Sequence, residues 1–220
     1  VYKSFSILKE SFIKRNLVLF IMKLIFARHS QTFNNAEGRI NGKLNDKTTF
    51  LTPKGIDEAR RLAHFAEKKK VNIVYSSPLH RAMQTSRYVA EKLDLDIKKD
   101  DRLVECNFGS WEEKTKEELG EEWKNREKNR YIYQYPGRFK GMKGESYKQL
   151  FPKVKSFIDN LLKTYKKDYV ILIVSHTGII LNVWKYFEKW NDKIIGEKEV
   201  SNHIAYIVDT QSSITEEIPY

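Results

Sequence analysis

One cysteine in 220 residues, Cys106, rules out an intramolecular disulfide. No Cys/His group has the spacing of a zinc site, so no structural metal is expected. Both absences fit a reducing compartment, and a cytoplasmic location is expected. Long apolar runs are missing too. The longest near the start, Leu17 to Met22, stops at Lys23, far short of the roughly 20 residues that span a membrane. No repeat, low-complexity tract or linker interrupts the chain. Acidic residues are in deficit: 29 Asp and Glu against 40 Lys and Arg leave a net charge of +11. Such an excess points either to an anionic partner or to solvated lysine faces. The lysines are spread out, which favours the second. Their longest run, Lys68-Lys69-Lys70, falls where a helix end welcomes cations.

What is present describes one α/β domain. With 40% hydrophobic and 13% aromatic residues, the chain has enough apolar material for a substantial core. Residues 1–21 are expected to form an N-terminal extension outside that core, with the domain spanning 22–220. A signal peptide is the competing reading of Lys14, Arg15 and the apolar stretch after them, but a small-residue cleavage site is lacking. Strands are expected at 23–28, 71–75, 96–98, 169–174 and 204–208, the last paired with 214–218 across a Thr-Gln-Ser-Ser turn. Thr52-Pro53 marks a helix start, Thr as N-cap and Pro in the first turn. Ser77-Pro78 reads as the cap of a second helix, 78–93. Further helices are expected at 112–130, 145–165 and 178–190. Alternating strands and helices imply a mostly parallel sheet. Residues 106–144 read as a lid inserted over the site rather than a core layer.

The chemistry concentrates where strands end. Arg28-His29-Ser30-Gln31-Thr32 follows the first strand, Ser76 to Thr85 the second, and Ser175-His176-Thr177-Gly178 the most apolar one. Open α/β sheets bind ligands at the carboxyl ends of their strands. Imidazole is a nucleophile near neutral pH, and guanidinium grips phosphate through two parallel hydrogen bonds. His29, His176, Arg28 and Arg81 converging on one rim would make a pocket for a dianionic phosphate.

These segments resemble the histidine phosphatase superfamily, the phosphoglycerate-mutase-like group of branch 1. The resemblance also covers Gly38 to Gly42, Leu51 to Gly55, Glu105 with Phe108 to Glu112, and Gly144-Glu145-Ser146. It implies a three-layer αβα sandwich and hydrolysis of a small phosphorylated metabolite through phosphohistidine, without metal or cofactor. His29 would be the nucleophile. Arg28, Arg81 and His176, as two guanidiniums and an imidazolium, would clamp the phosphate. Glu105, its pKa raised and with Phe108 and Trp111 around it, would be general acid and then base. Asn35, Thr32, Asn41, Gly42 and Thr177 would contact substrate.

Three positions depart from the family pattern. Ser30 and Thr177 stand after the two histidines where Gly is usual, and Glu113 follows Trp111-Glu112 where Gly is frequent. A positive φ at Ser30 would be strained by about 1 kcal/mol or more. Other readings stay open on sequence alone: a cofactor-dependent phosphoglycerate mutase, an inactive phosphate-binding module, and RNA binding by Tyr131, Tyr133 and Tyr135 with Arg126, Arg130, Arg138, Lys140 and Lys143. Against the mutase, the stretch after Glu105 is short and lacks an Arg-Arg pair. Against RNA, no nucleic-acid motif accompanies the tyrosines. Neither a nucleic-acid nor a membrane partner is expected.

Overall fold

The computed structural model describes residues 22–165, 169–210 and 215–220. The expected extension at 1–21 and most of the turn after Asp209 lie outside the described residues. In chain order the main elements are β1 (Lys23–Arg28), α1 (Phe33–Ala36), α2 (Pro53–Lys68), β2 (Ile73–Ser76), α3 (His80–Leu93) and β3 (Ile97–Lys99). There follow α4 (Lys116–Leu119), α5 (Glu121–Lys128), β4 (Arg138–Phe139), β5 (Met142–Lys143), α6 (Phe151–Thr164), β6 (Val170–Ser175), α7 (Thr177–Phe187), α8 (Asp192–Glu197), β7 (Ile204–Asp209) and β8 (Thr215–Pro219).

Six strands form one sheet in the order β3-β2-β6-β1-β7-β8. β3, β2, β6 and β1 are mutually parallel, while β7 runs antiparallel to β1 and β8 antiparallel to β7. Side-chain alternation along the strands divides the core in two. Leu24, Phe26, Ile171 and Ile173 face one cluster with α6 and α7; Ile25, Ala27, Leu172 and Val174 face the other with α2 and α3. Both faces of the central strands are covered, so they read as unbroken apolar runs. The architecture is the expected αβα sandwich.

Register positions the site. Arg28 pairs with Ser175, and Ser76 with Val174. His29 N–H donates to Ser175 O, and Ser77 N–H to Val174 O. His29, Ser77 and His176 therefore emerge side by side at one rim.

Several expectations need correction. The helix after β2 begins at His80 with Leu79 as an N-cap that makes no side-chain bond; the Ser77 hydroxyl accepts from Leu79 N–H at 3.4 Å and makes its shorter bond outside the helix. The long helix expected at 112–130 is two short ones broken at Gly120. The helix expected from Glu145 starts at Phe151, after a 3₁₀ turn at Tyr147–Leu150. The 106–144 segment borders the site cavity and also contributes to the core. Phe108, Trp111, Leu119, Tyr131 and Tyr135 belong to the larger apolar cluster, and Arg126 is only 4% exposed. Tyr131 and Tyr135, each 1% exposed, present no stacking face to a base. Tyr133 between them is half-buried.

Ser30 is not among the non-glycine residues of positive φ, so its departure from glycine carries no backbone strain there. Glu113 is: it is exposed with φ 70°. Glu113→Gly is expected to stabilise the fold by up to about 1 kcal/mol, the relief of a Cβ in the left-handed region less the glycine entropy. A urea midpoint unchanged or lowered would contradict this.

Candidate active site

The rim opens into a cavity of about 380 Å³. Arg28, His29, Asn35, Asn41, Gly42, Arg81, Glu105 and Thr177 line it. His176 lies just behind, its ring centroid 5.3 Å from that of His29. Thr32 does not reach the cavity. Its hydroxyl caps α1 by accepting from Asn35 N–H and takes a second bond from Asn41 Nδ2, both at 3.1 Å. It holds two cavity residues, Asn35 and Asn41. Gly42 contributes its carbonyl, which accepts from Arg81.

His29 is oriented from two sides. Its Nδ1–H donates to Ser30 O at 2.9 Å, which leaves the lone pair on Nε2. Asn202 Nδ2, just before β7, donates to His29 O at 2.5 Å. Burial, then the charges of Arg81 and Arg28, hold the His29 pKa well below the ordinary imidazole value. The ring is neutral at pH 7. His176 is depressed in the same way, by burial first and then Arg81. It is therefore neutral in the free site, and not the imidazolium expected from the family pattern. Its Nε2 pairs with Ser77 Oγ at 2.8 Å, and its buried Nδ1 has no protein partner.

Arg28 and Arg81 are held by backbone carbonyls. Arg28 donates to Val200 O at 3.0 Å. Arg81, fully buried in the first turn of α3, donates to Leu44 O at 2.9 Å and Gly42 O at 2.6 Å. Burial brings Arg81 down to about 10, so it remains cationic near neutrality. The Nε of each guanidinium is buried without a partner. Orphaned buried donors are rare in proteins and call for an explanation.

Glu105 stands across the rim. Its carboxylate accepts from Cys106 N–H at 2.8 Å and from Gly178 N–H, in the first turn of α7, at 3.1 Å. Burial pushes its pKa up against those bonds and against Arg81 and Arg28. Phe108 lines the same cavity, whereas the indole of Trp111 points to Glu122. Glu112 is the rival acid. It too is buried and is pushed up to about 7, but it does not line the cavity.

Four positions outside the predicted site set also act at the site. Ser77 holds His176, Thr85 Oγ1 accepts from Ser30 N–H, Asn202 holds the His29 backbone, and Glu112 binds the 43–44 backbone. Three of the four lie within recognised segments. Their partners are 55 to 173 positions away, and no local pattern reveals those.

The histidine phosphatase superfamily (branch 1) matches residues 24–215. Phosphoserine phosphatase 1 of Hydrogenobacter thermophilus is 31% identical over 157 residues, 71% of this chain and 72% of that protein. The probable phosphoglycerate mutase GpmB of Enterobacter sp. is 31% identical over 73% of this chain and 72% of its own length. The crystal structure of phosphoserine phosphatase from Entamoeba histolytica with 3-phosphoglyceric acid superposes with a TM-score of 0.71. It is 27% identical and covers 89% of this chain and 94% of that one. A family match over nearly all the described residues coincides with paired histidines and arginines at one strand rim, and the chain belongs to the histidine phosphatase superfamily, branch 1.

Proposed function

We propose that the protein hydrolyses phosphomonoesters through a phosphohistidine at His29. The observation that carries this is a neutral imidazole with its Nε2 lone pair free, beside a buried and a half-buried guanidinium whose buried Nε–H groups have no protein partner. The His29 Nε2 lone pair forms the N–P bond as the ester P–O bond breaks. The leaving oxygen takes the Glu105 proton. Water then forms the new O–P bond as N–P breaks, and its proton returns to Glu105. Arg28 and Arg81 hold the equatorial oxygens and their growing charge. His176, neutral when the site is free, supplies Nδ1. A bound dianion would raise its pKa. Asn35 Oδ1 is engaged by Thr32 N–H, so its Nδ2 is the atom that would donate to phosphate.

The substrate is a small metabolite, in keeping with the cavity volume. Arg126 and Arg130 also line the cavity, and the buried Arg130 Nε has no partner. A second anionic group on the substrate, a carboxylate or phosphate, fits these donors. Relatives named as phosphoserine phosphatases, one solved with 3-phosphoglyceric acid, act in the same chemical range.

The relative named as a probable phosphoglycerate mutase supports a second reading, in which the phosphoryl group returns to substrate instead of water. Phosphate release is to be measured from phosphoserine, 3-phosphoglycerate and p-nitrophenyl phosphate, with assay for 2-phosphoglycerate. Isomerisation without net phosphate would replace hydrolysis by mutation of position.

The pH profile follows from two opposite shifts. The nucleophile must be neutral, so activity falls as pH drops through the depressed His29 value. The acid must be protonated, so phosphorylation slows as pH rises through the elevated Glu105 value. A bell in kcat/KM on the acidic side of neutrality is expected with an alkyl phosphate. A profile still rising above pH 8 would contradict these assignments.

A further inference from the structure

Glu112 is a buried carboxylate with an unusual set of partners. Its Oε1 accepts from Lys43 N–H at 2.9 Å and from Phe108 N–H at 3.0 Å; its Oε2 accepts from Leu44 N–H at 3.1 Å. All three donors are backbone, and burying a carboxylate without a paired cation is expensive. On the far side of the same loop the Arg81 guanidinium donates to Gly42 O and Leu44 O. The Gly42–Lys43 peptide is trans, so its C=O and N–H point in opposite directions. Arg81 grips one end of this amide and Glu112 the other. Hydrogen bonds arranged in series polarise and strengthen each other.

Gly42 shows how closely the acid approaches. A Cβ at that position would lie 2.1 Å from Glu112 Oε1, and its φ is +42°. Phe108, held by the same oxygen, lines the cavity three residues beyond Glu105.

Resting on the phosphatase reading above, we propose that Glu112 is a positioning residue: through the Gly42–Lys43 amide it sets the Arg81 guanidinium against the transferring phosphoryl group. It does not touch substrate. Arg81 Nε is left with no protein acceptor because its other donors are pinned to this loop. Loosening the loop lets the guanidinium turn away, and a misplacement of about 1 Å costs about 10²-fold in rate.

The test is a double-mutant cycle between Glu112→Gln and Arg81→Lys, with p-nitrophenyl phosphate as substrate and inorganic phosphate as inhibitor. Glu112→Gln is expected to lower kcat by about 10²-fold, to raise KM much less, and to weaken inhibition by phosphate. In the Arg81→Lys background the same change should add less than about 3-fold, because coupled residues are not additive. Gly42→Ala keeps the acid but pushes it off the loop, because the added Cβ would meet Glu112 Oε1; the same cycle is run with it, and thermal melts report folding throughout. Full multiplication of the two losses, a wild-type kcat in Glu112→Gln, or unfolding of both loop variants would each overturn the proposal in favour of a purely structural acid. A wild-type protein that releases no phosphate would instead remove the catalytic reading, and this inference with it.

Discussion

His29→Ala abolishes turnover, by roughly 10⁴–10⁶-fold, and eliminates the acid-labile phosphoenzyme while leaving the fold intact. No neighbouring group can take over as nucleophile. His176 Nε2 is engaged by Ser77 Oγ, and in the proposed reaction its Nδ1–H donates to a phosphate oxygen, which leaves no lone pair free for attack. Cys106 is fully buried, and burial drives its thiol pKa well up, so no thiolate forms. The structural loss is small. The ring makes one hydrogen bond, to the next residue's carbonyl, worth about 1 kcal/mol, and its open side faces a cavity instead of the core. Rapid quenching with ³²P-labelled substrate reads the result directly. Label that stays on the variant in acid-labile form would place the nucleophile at another residue and dissolve the catalytic assignment.

Much of this site was legible because strand ends concentrate it. An apolar strand followed by Arg-His, or by Ser-His, is local information. The parallel sheet then brings Arg28 opposite Ser175 without further instruction. Thr52-Pro53 was legible for the same reason: a cap and a first-turn proline act within four residues, and Thr52 Oγ1 does accept from Gly55 N–H. Most of the failures are non-local, Thr32 and Gly120 being local exceptions. Ser77 looks like a helix cap, and its hydroxyl does accept from Leu79 N–H at 3.4 Å, but its short bond is to a ring 99 positions away. Thr32 looks like a ligand contact because it follows the nucleophile, but α1 needs its hydroxyl first. The tyrosines at 131, 133 and 135 alternate as in a strand, and their side turns inward while Ile132 and Gln134 are exposed, yet the segment pairs with no sheet, so the alternation alone does not say what buries it. What buries Tyr135 is Arg126, whose Nε donates to the phenol at 3.0 Å, together with Phe108 at 4.3 Å between ring centroids. Glu112 was the hardest to place, since a carboxylate bound only by backbone N–H groups has no partner residue type to search for.

Glu105→Gln separates the two half-reactions, and this is the second large effect. With an alkyl phosphate the variant is expected to lose about 10²–10⁴-fold in kcat, as for removal of a general acid. With p-nitrophenyl phosphate the leaving phenolate needs no proton, so the first step should proceed near its normal rate. The second step still lacks its base. Nitrophenol should therefore appear as a burst of about one equivalent, followed by slow turnover on an accumulated phosphoenzyme. Glutamine suits the test because it is isosteric and its carbonyl oxygen can still accept from Cys106 and Gly178 N–H. A variant that hydrolysed the alkyl ester at the normal rate would move the acid role elsewhere. Glu112, though pushed up to about 7, is not a ready substitute, because it lies beyond the cavity wall and is bound on both oxygens by the loop it holds. Equal losses with both substrates and no burst would mean that Glu105 orders the start of α7, whose Gly178 N–H it accepts, and transfers no proton at all.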